Sequence, residues 1–216
     1  MAGLRFPPGP VTNALAIINL VIATVLLVPA WWQQAVISGG LFPARFGAGS
    51  EAFQGLGFLL PAWITPLSAA FLHGGLVHVI LNMLMLLLIG KMVERVLGAK
   101  MYLLLYVIGA YAAALAEWIG SPQSLTPVVG ASGAISAVIG AYVLLFPNQP
   151  PKPWGPISAK IARPLHLLIA WIALNVMIGF VGPGLGISIA IWSHIGGFIA
   201  GLLLVRPMLL WRYRKA

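Results

Sequence analysis

Four polar residues stand in segments of this sequence that are otherwise almost entirely apolar: His78, Asn82, Ser132 and His194. A serine hydroxyl becomes a nucleophile when an imidazole accepts its proton, so Ser132 and His194 are the residue types that acyl transfer needs. The side-chain N–H groups of His78 and Asn82 are donors that can stabilise an oxyanion, as is the backbone N–H of Ser132. Glycines stand two residues before the serine and directly after it, which leaves the backbone open to a substrate carbonyl. These residue types are candidates for acyl transfer to a serine, although an isolated serine between small residues in a membrane helix more often serves packing.

The chain offers few side chains for a third catalytic group. It has no aspartate and no cysteine, and its glutamates are Glu51, Glu94 and Glu117. We place none of them at the depth needed to orient His194, so we expect a Ser–His dyad whose imidazole is held by helix packing alone. Two histidines without a nearby carboxylate or thiolate make a poor zinc site, and we expect neither a metal nor a cofactor.

The composition identifies the medium in which this chemistry takes place. Of the 216 residues 61% are hydrophobic and only 7% are charged, against roughly a quarter charged in an ordinary soluble domain. That balance excludes a water-soluble globule, and it excludes disorder because disorder needs low hydrophobicity. No charged residue occurs in 6–44, 52–90, 118–151 or 164–205. Each gap is long enough for a helix of about 20 apolar residues to cross the hydrocarbon.

We predict an all-α, polytopic membrane protein, with residues 1–216 forming a single domain of six transmembrane helices. Glycine and proline clusters divide the gaps and place the crossings at about 11–31, 76–94, 101–118, 128–147, 164–181 and 188–208. Residues 32–75 are rich in glycine and proline, which predicts an irregular outer loop that is partly embedded in the membrane.

The distribution of positive charge predicts the orientation. Six crossings put both termini on one side, and that side carries every lysine and arginine except Arg45. The positive-inside rule then places both termini in the cytoplasm. The net charge of +9 is thereby explained by topology, with no nucleic acid as a partner.

Helical periodicity predicts that the polar residues meet. The second, fourth and sixth crossings start from the outer side, and each carries its polar residue a turn or two inside. Small residues recur every four positions from Ser132 to Gly140, and His194, Gly197 and Gly201 share one face of the sixth crossing. Small residues let two membrane helices approach closely, so His194 can reach the Ser132 hydroxyl.

The segments that carry these residues resemble the rhomboid family of intramembrane serine proteases. The matching stretches are HGGLVHVILN at 73–82, VERVLG at 93–98, GASGA at 130–134 and SHIGGFIAG at 193–201. The resemblance extends over residues 58–205. It implies Ser132 as nucleophile and His194 as general base, with His78 and Asn82 beside the oxyanion. It also implies transmembrane protein substrates that are cut near the outer membrane face, after a small residue.

Two positions depart from the family's pattern. Trp63 is followed by Ile64 where the family often has an arginine, and Ser136 stands where an aromatic residue often packs on the catalytic histidine.

The resemblance further implies lateral substrate entry near the second and fifth crossings, with a cap formed by the loop from Gly182 to Ile191.

We therefore predict an intramembrane serine endopeptidase that cleaves single-pass transmembrane proteins, placed in a bacterial cytoplasmic membrane because of its compactness and charge bias. The alternative is a catalytically inactive rhomboid-like protein that binds membrane clients, which the intact Ser132 and His194 disfavour. A small transporter is disfavoured because neither an internal charge nor a broken helix is evident at the bilayer midplane.

Overall fold

The computed structural model describes residues 8–147, 153–181 and 189–214, and these residues are mainly helical. The helices of ten or more residues in these ranges are α1 (Pro10–Val25), α2 (Pro29–Gly39), α3 (Leu76–Met85), α4 (Lys91–Gly120), α5 (Ser132–Leu145), α6 (Ala159–Val181) and α7 (Ile191–Arg212). Extended pairing is confined, in the same ranges, to two isolated backbone bridges. The predicted all-α class is confirmed.

Within the described residues, the apolar helices are roughly consistent with the six predicted crossings. Three helical segments are long and apolar enough to cross a membrane, namely Leu76–Gly120, Ala159–Phe180 and Ile191–Arg212. The first contains α3, a π-helical turn and α4, and it breaks at Gly98, where φ is 74°. Glycine adopts this left-handed conformation without steric penalty, so the chain turns between residues 76–97 and 99–120. Three apolar helical segments are shorter: α1, α5 and Ala62–Phe71, and the last of these belongs to the predicted outer loop.

The first crossing is shorter than the predicted 11–31. Helix α1 ends at Val25, and Pro29–Gly39 form a separate helix, α2. Val28 has extended backbone (φ −74°, ψ 116°) because the residue before a proline is disfavoured in the helical region. Pro29 then begins α2, where its missing N–H leaves no bond unmade.

The fourth crossing begins later than the predicted residue 128. Val128 pairs with Leu41 through two backbone hydrogen bonds (3.1 and 2.8 Å), and Gly130 has a φ of 117°. Ser132 is therefore the first residue of α5 rather than a residue a turn or two inside it. The 14 residues of α5 extend about 21 Å, against about 30 Å of hydrocarbon. This shortness leaves room for Ser132 to lie below the outer membrane surface.

Helix α6, which corresponds to the fifth predicted crossing, begins at Ala159, five residues before the predicted 164. It contains Pro164, whose ring removes one helical hydrogen bond near the start of the helix. Helix α7, which corresponds to the sixth predicted crossing, runs from Ile191 to Arg212 rather than over 188–208. Most of the loop predicted to cap the site, residues 182–188, lies outside the described residues.

The predicted outer loop contains α2 and several short 3-10 turns. Arg45 donates to the carbonyl oxygen of Leu60 (2.7 Å), so an arginine from elsewhere in the loop reaches the segment just before Trp63. Trp32 Nε1 donates to the carbonyl oxygen of His73 (2.7 Å), which ties α2 to the residues that precede α3.

The closest helix packing in the core is between α5 and α7. A Cβ atom at Gly201 would collide with the carbonyl oxygen of Ala137, and one at Gly197 would collide with that of Gly133. The predicted small-residue faces therefore do meet, with the backbone of one helix against the backbone of the other.

A buried carboxylate joins α1 to α4. Glu94, 3% exposed, accepts hydrogen bonds from the backbone N–H of Val11 (3.0 Å) and from the N–H (2.9 Å) and hydroxyl (2.7 Å) of Thr12. The donors lie in the first turn of α1, where backbone N–H groups lack partners within the helix and the helix dipole favours negative charge.

The Glu94 contact predicts a stability effect. Glu94→Ala leaves three donors without their acceptor and is expected to lower the free energy of unfolding by about 1–3 kcal/mol, whereas Thr12→Val removes only the hydroxyl bond and should cost about 1 kcal/mol. Unfolding in mixed detergent micelles with increasing dodecyl sulfate measures both. Equal stability of Glu94→Ala and the wild type would contradict this role.

The close contact between α5 and α7 also predicts an effect on stability. Gly201→Ala forces the two backbones apart and is expected to destabilise the fold by about 1–3 kcal/mol. Gly47→Ala is the matched control, because nothing lies within 4 Å of the added carbon and φ is −152°. The same unfolding measurement should separate the two variants, and equal midpoints would argue against close packing here.

Candidate active site

Ser132 and His194 are in hydrogen-bond contact. The Nε2 atom of His194 lies 2.8 Å from the Oγ atom of Ser132, which joins the first residue of α5 to the fourth residue of α7. Both residues are partly exposed. The structure thus brings together the hydroxyl and the imidazole that were selected by residue type and spacing.

The imidazole has a second partner that the sequence analysis missed. The Nδ1 atom of His194 lies 2.6 Å from Oδ1 of Asn175 on α6. Asn175 is 2% exposed although it stands in an apolar helix. The expectation that helix packing alone orients His194 is therefore wrong. The signal was present, because a polar residue inside a membrane span is a functional candidate by default.

Glu117 also contributes more than expected. Its Oε2 atom accepts hydrogen bonds from the backbone N–H and the hydroxyl of Ser193, both at 2.9 Å. These hydrogen bonds hold Ser193, the residue directly before His194, and not the imidazole itself. A carboxylate at the N-terminal end of α7 is stabilised by the helix dipole, so this contact fixes the turn that carries His194.

Among the described residues, no aromatic ring is found stacked on His194 in the way that the family's residue at position 136 often is. The Ser136 hydroxyl donates instead to the carbonyl oxygen of Ser132 (2.8 Å), within α5. Trp171 of α6 approaches from the other side, where its Nε1–H donates to the carbonyl oxygen of His194 (3.2 Å). The Trp171 ring stacks on Phe198 at a centroid distance of 5.1 Å and an angle of 10°. Helix α6 is thereby docked on α7 around the histidine.

His78 and Asn82 converge on the backbone just before Ser132. The Nδ1 atom of His78 accepts from the N–H of Gly74 (3.3 Å), so the neutral ring carries its proton on Nε2. A Cβ atom at Gly130 would lie 2.6 Å from this Nε2 and 3.7 Å from Nδ2 of Asn82. Glycine is needed at this position for both its positive φ and its lack of a side chain.

His73 packs against the ring of His78. The two ring centroids are 5.1 Å apart in an edge-to-face arrangement. Burial, together with the nearby His78, lowers the pKa of His73 to about 4, so the His73 ring is neutral at pH 7. His73 therefore supports the position of His78 without adding a charge.

The arrangement suits acyl transfer to a serine. The first N–H groups of α5 have no partner within the helix, and no side chain among the described residues caps them. A negative charge that develops beside Ser132 would meet these groups, the helix dipole and the N–H groups of His78 and Asn82. Within the described residues no three metal-binding side chains come together.

Comparison with known proteins gives the family. A family model described as "Rhomboid domain" matches residues 61–211. Rhomboid protease GlpG of Pectobacterium atrosepticum is 30% identical over 201 residues, which cover 93% of this chain and 63% of the relative. RHOMBOID-like protein 4 of Arabidopsis thaliana is 34% identical over 67% of this chain and 35% of its own length. Rhomboid protease GluP of Bacillus subtilis is 31% identical over 67% of this chain and 27% of its own length.

These comparisons confirm the resemblance found in the sequence. The match spans less than two thirds of the length of each of these three relatives, and two of the three are named as proteases. The family model covers more than half of the chain and includes all four polar residues of the site. The family match and the apolar helices together identify the protein as a multi-pass integral membrane protein. The chain belongs to the rhomboid family.

Proposed function

We propose that this protein is an intramembrane serine endopeptidase with Ser132 as nucleophile and His194 as general base. The observation that carries the proposal is the 2.8 Å contact between the Ser132 hydroxyl and Nε2 of His194. A serine within hydrogen-bond distance of an oriented imidazole is the arrangement that activates a hydroxyl for attack. Two of the relatives reported above are named rhomboid proteases, which supports the same chemistry.

The proposed reaction has two halves. Ser132 Oγ attacks the carbonyl carbon of the scissile peptide bond while His194 Nε2 takes the hydroxyl proton. The tetrahedral intermediate collapses to an acyl ester on Ser132, and the imidazolium gives its proton to the departing amine. Water then attacks the ester with His194 again as base, which releases the acid product and restores the hydroxyl. His194 must be neutral to begin each half, so acid that protonates it should stop the reaction.

His78 and Asn82 are proposed as donors to the oxyanion. The geometry supports this role because the Nε2–H of His78 and the amide of Asn82 face the backbone two residues before Ser132. With the N–H of Ser132 itself, they would surround an oxygen whose charge increases in the transition state.

The substrates we propose are single-pass transmembrane segments that enter from the lipid beside α6. Only 11% of the residues in the most apolar stretch of α6 are buried, against 33% and 39% in the other two long segments. Helix α6 therefore has an open lipid-facing surface beside the site. The short helix α5 keeps the site within reach of water from the outer side, which hydrolysis of the acyl ester requires.

The proposed location is a bacterial cytoplasmic membrane with both termini in the cytoplasm. The distribution of lysine and arginine supports this orientation, since all but Arg45 fall on one side of a six-pass topology. Ser132 and His194 then face the outer leaflet.

Loss of the nucleophile or base should abolish activity. Ser132→Ala and His194→Ala are each expected to reduce cleavage of a generic transmembrane substrate in detergent to background, because neither retains an activated hydroxyl. Labelling by a serine-reactive fluorophosphonate should be lost in both. Equal cleavage by wild type and Ser132→Ala would remove Ser132 from the mechanism, and binding without cleavage by the wild type would favour the client-binding alternative.

Loss of an oxyanion donor should affect the rate more than binding. His78→Ala and Asn82→Ala are each expected to lower kcat by about 10²–10³, with KM nearly unchanged, because the donors act on the transition state. Asn13→Ala, on the exposed face of α1, is the control for the change at Asn82. A rise in KM at constant kcat would show instead that these residues bind the ground state.

A further inference from the structure

Asn175 is the most unusual polar residue of α6. It is 2% exposed, while its neighbours Leu174 (42%), Val176 (39%) and Met177 (56%) are much more open. The helix therefore turns its one buried amide toward the protein and its apolar residues toward the lipid. A buried polar group in a membrane span is costly unless it is paired, so the partners of Asn175 are informative.

The hydrogen bonds of Asn175 fix the direction of its amide. Its Nδ2 atom donates to the carbonyl oxygen of Trp171 at 2.9 Å. Because a carbonyl oxygen only accepts, the amino group must face Trp171 and the amide oxygen must face His194. That oxygen lies 2.6 Å from Nδ1 of His194. The Nδ1 atom is then the donor, and it carries the ring proton.

This assignment determines the other side of the ring. A neutral imidazole with its proton on Nδ1 has a lone pair on Nε2. The Nε2 atom is the one that lies 2.8 Å from the Ser132 hydroxyl. The ring is therefore in the one neutral tautomer that can take the serine proton.

We propose that Asn175 is a positioning residue that holds His194 in the Nδ1–H tautomer, so that Ser132, His194 and Asn175 form a three-residue chain across α5, α7 and α6. The inference rests on the proposed function for its effect on rate. Asn175 touches neither substrate nor reacting atoms and acts only through His194. When Nε2 gains the serine proton, Nδ1–H keeps its bond to the neutral amide, so the orientation of the ring is the same throughout the reaction.

The test begins with the wild type, which requires no folded variant. Nitrogen-15 NMR of histidine-labelled protein in micelles distinguishes the two neutral tautomers, and the His194 signal is identified by its loss in His194→Ala. We expect the Nδ1–H form for His194. The Nε2–H form as the main species would overturn the proposal, whether or not the protein cleaves a substrate.

Substitutions at Asn175 test whether the tautomer of His194 determines kcat. Asn175→Leu has a similar shape but no acceptor, and it is expected to mix the tautomers and to lower kcat on the order of 10- to 100-fold with KM nearly unchanged. Asn175→Asp keeps an acceptor oxygen and should retain the Nδ1–H form and most of kcat. Trp171→Phe is the matched control, because it removes a neighbouring α6–α7 hydrogen bond but leaves the Asn175 amide in place.

The outcomes separate this inference from the function on which it rests. A wild type that cleaves while Asn175→Leu keeps the wild-type tautomer and kcat would overturn the role of Asn175 and leave the protease intact. A wild type that neither cleaves nor reacts with fluorophosphonate would overturn the function, and the tautomer measurement would still decide the role of Asn175. An equal tautomer change in Trp171→Phe would assign the effect to helix docking and also overturn the proposal.

Discussion

The close approach of α5 and α7 is the constraint on which the candidate site depends. Ser132 and His194 lie on different helices, and their side chains are short compared with the usual distance between helix axes. They meet because Gly197 and Gly201 allow the backbone of α7 to contact that of α5. In lipid, where burial of apolar surface gives little net driving force between helices, such close packing is a main source of helix association. The same glycines therefore stabilise the bundle and set the geometry of the hydroxyl–imidazole pair.

Polar contacts at helix ends fix the remaining degrees of freedom. The chain has three acidic residues, and two of them, Glu94 and Glu117, are buried against the N-terminal turns of α1 and α7. Each carboxylate satisfies donors that the helix itself leaves free, and each is stabilised by the helix dipole. Glu117 fixes the turn that carries the catalytic candidate His194, while Asn175 fixes the ring from α6. The histidine is thus held at its backbone by one neighbouring helix and at its side chain by another.

The sequence was sufficient for features that follow from residue type, from spacing along each helix and from approximate depth in the membrane. Residue type and four-residue spacing predicted the pairing of Ser132 with His194, because depth in the membrane and the small-residue face follow from counting. The start of α5 at Ser132 was not predictable in this way, since it depends on the pairing of Val128 with Leu41, 87 residues apart in the chain. The roles of Asn175 and Glu117 depend on how α6 and α4 are rotated against α7, and no small-residue face comparable to that of α5 was identified on α6 or α4 to predict this rotation.

The most direct test is a structure of the protein after reaction with a fluorophosphonate. The phosphorus atom stands for the tetrahedral carbon of the reaction, and one phosphoryl oxygen stands for the oxyanion. The proposed mechanism predicts a bond from phosphorus to Ser132 Oγ, with the phosphoryl oxygen in hydrogen-bond contact with the Ser132 N–H and with the side chains of His78 and Asn82. An adduct on another residue, or a phosphoryl oxygen directed away from these donors with His194 apart from Ser132, would contradict it.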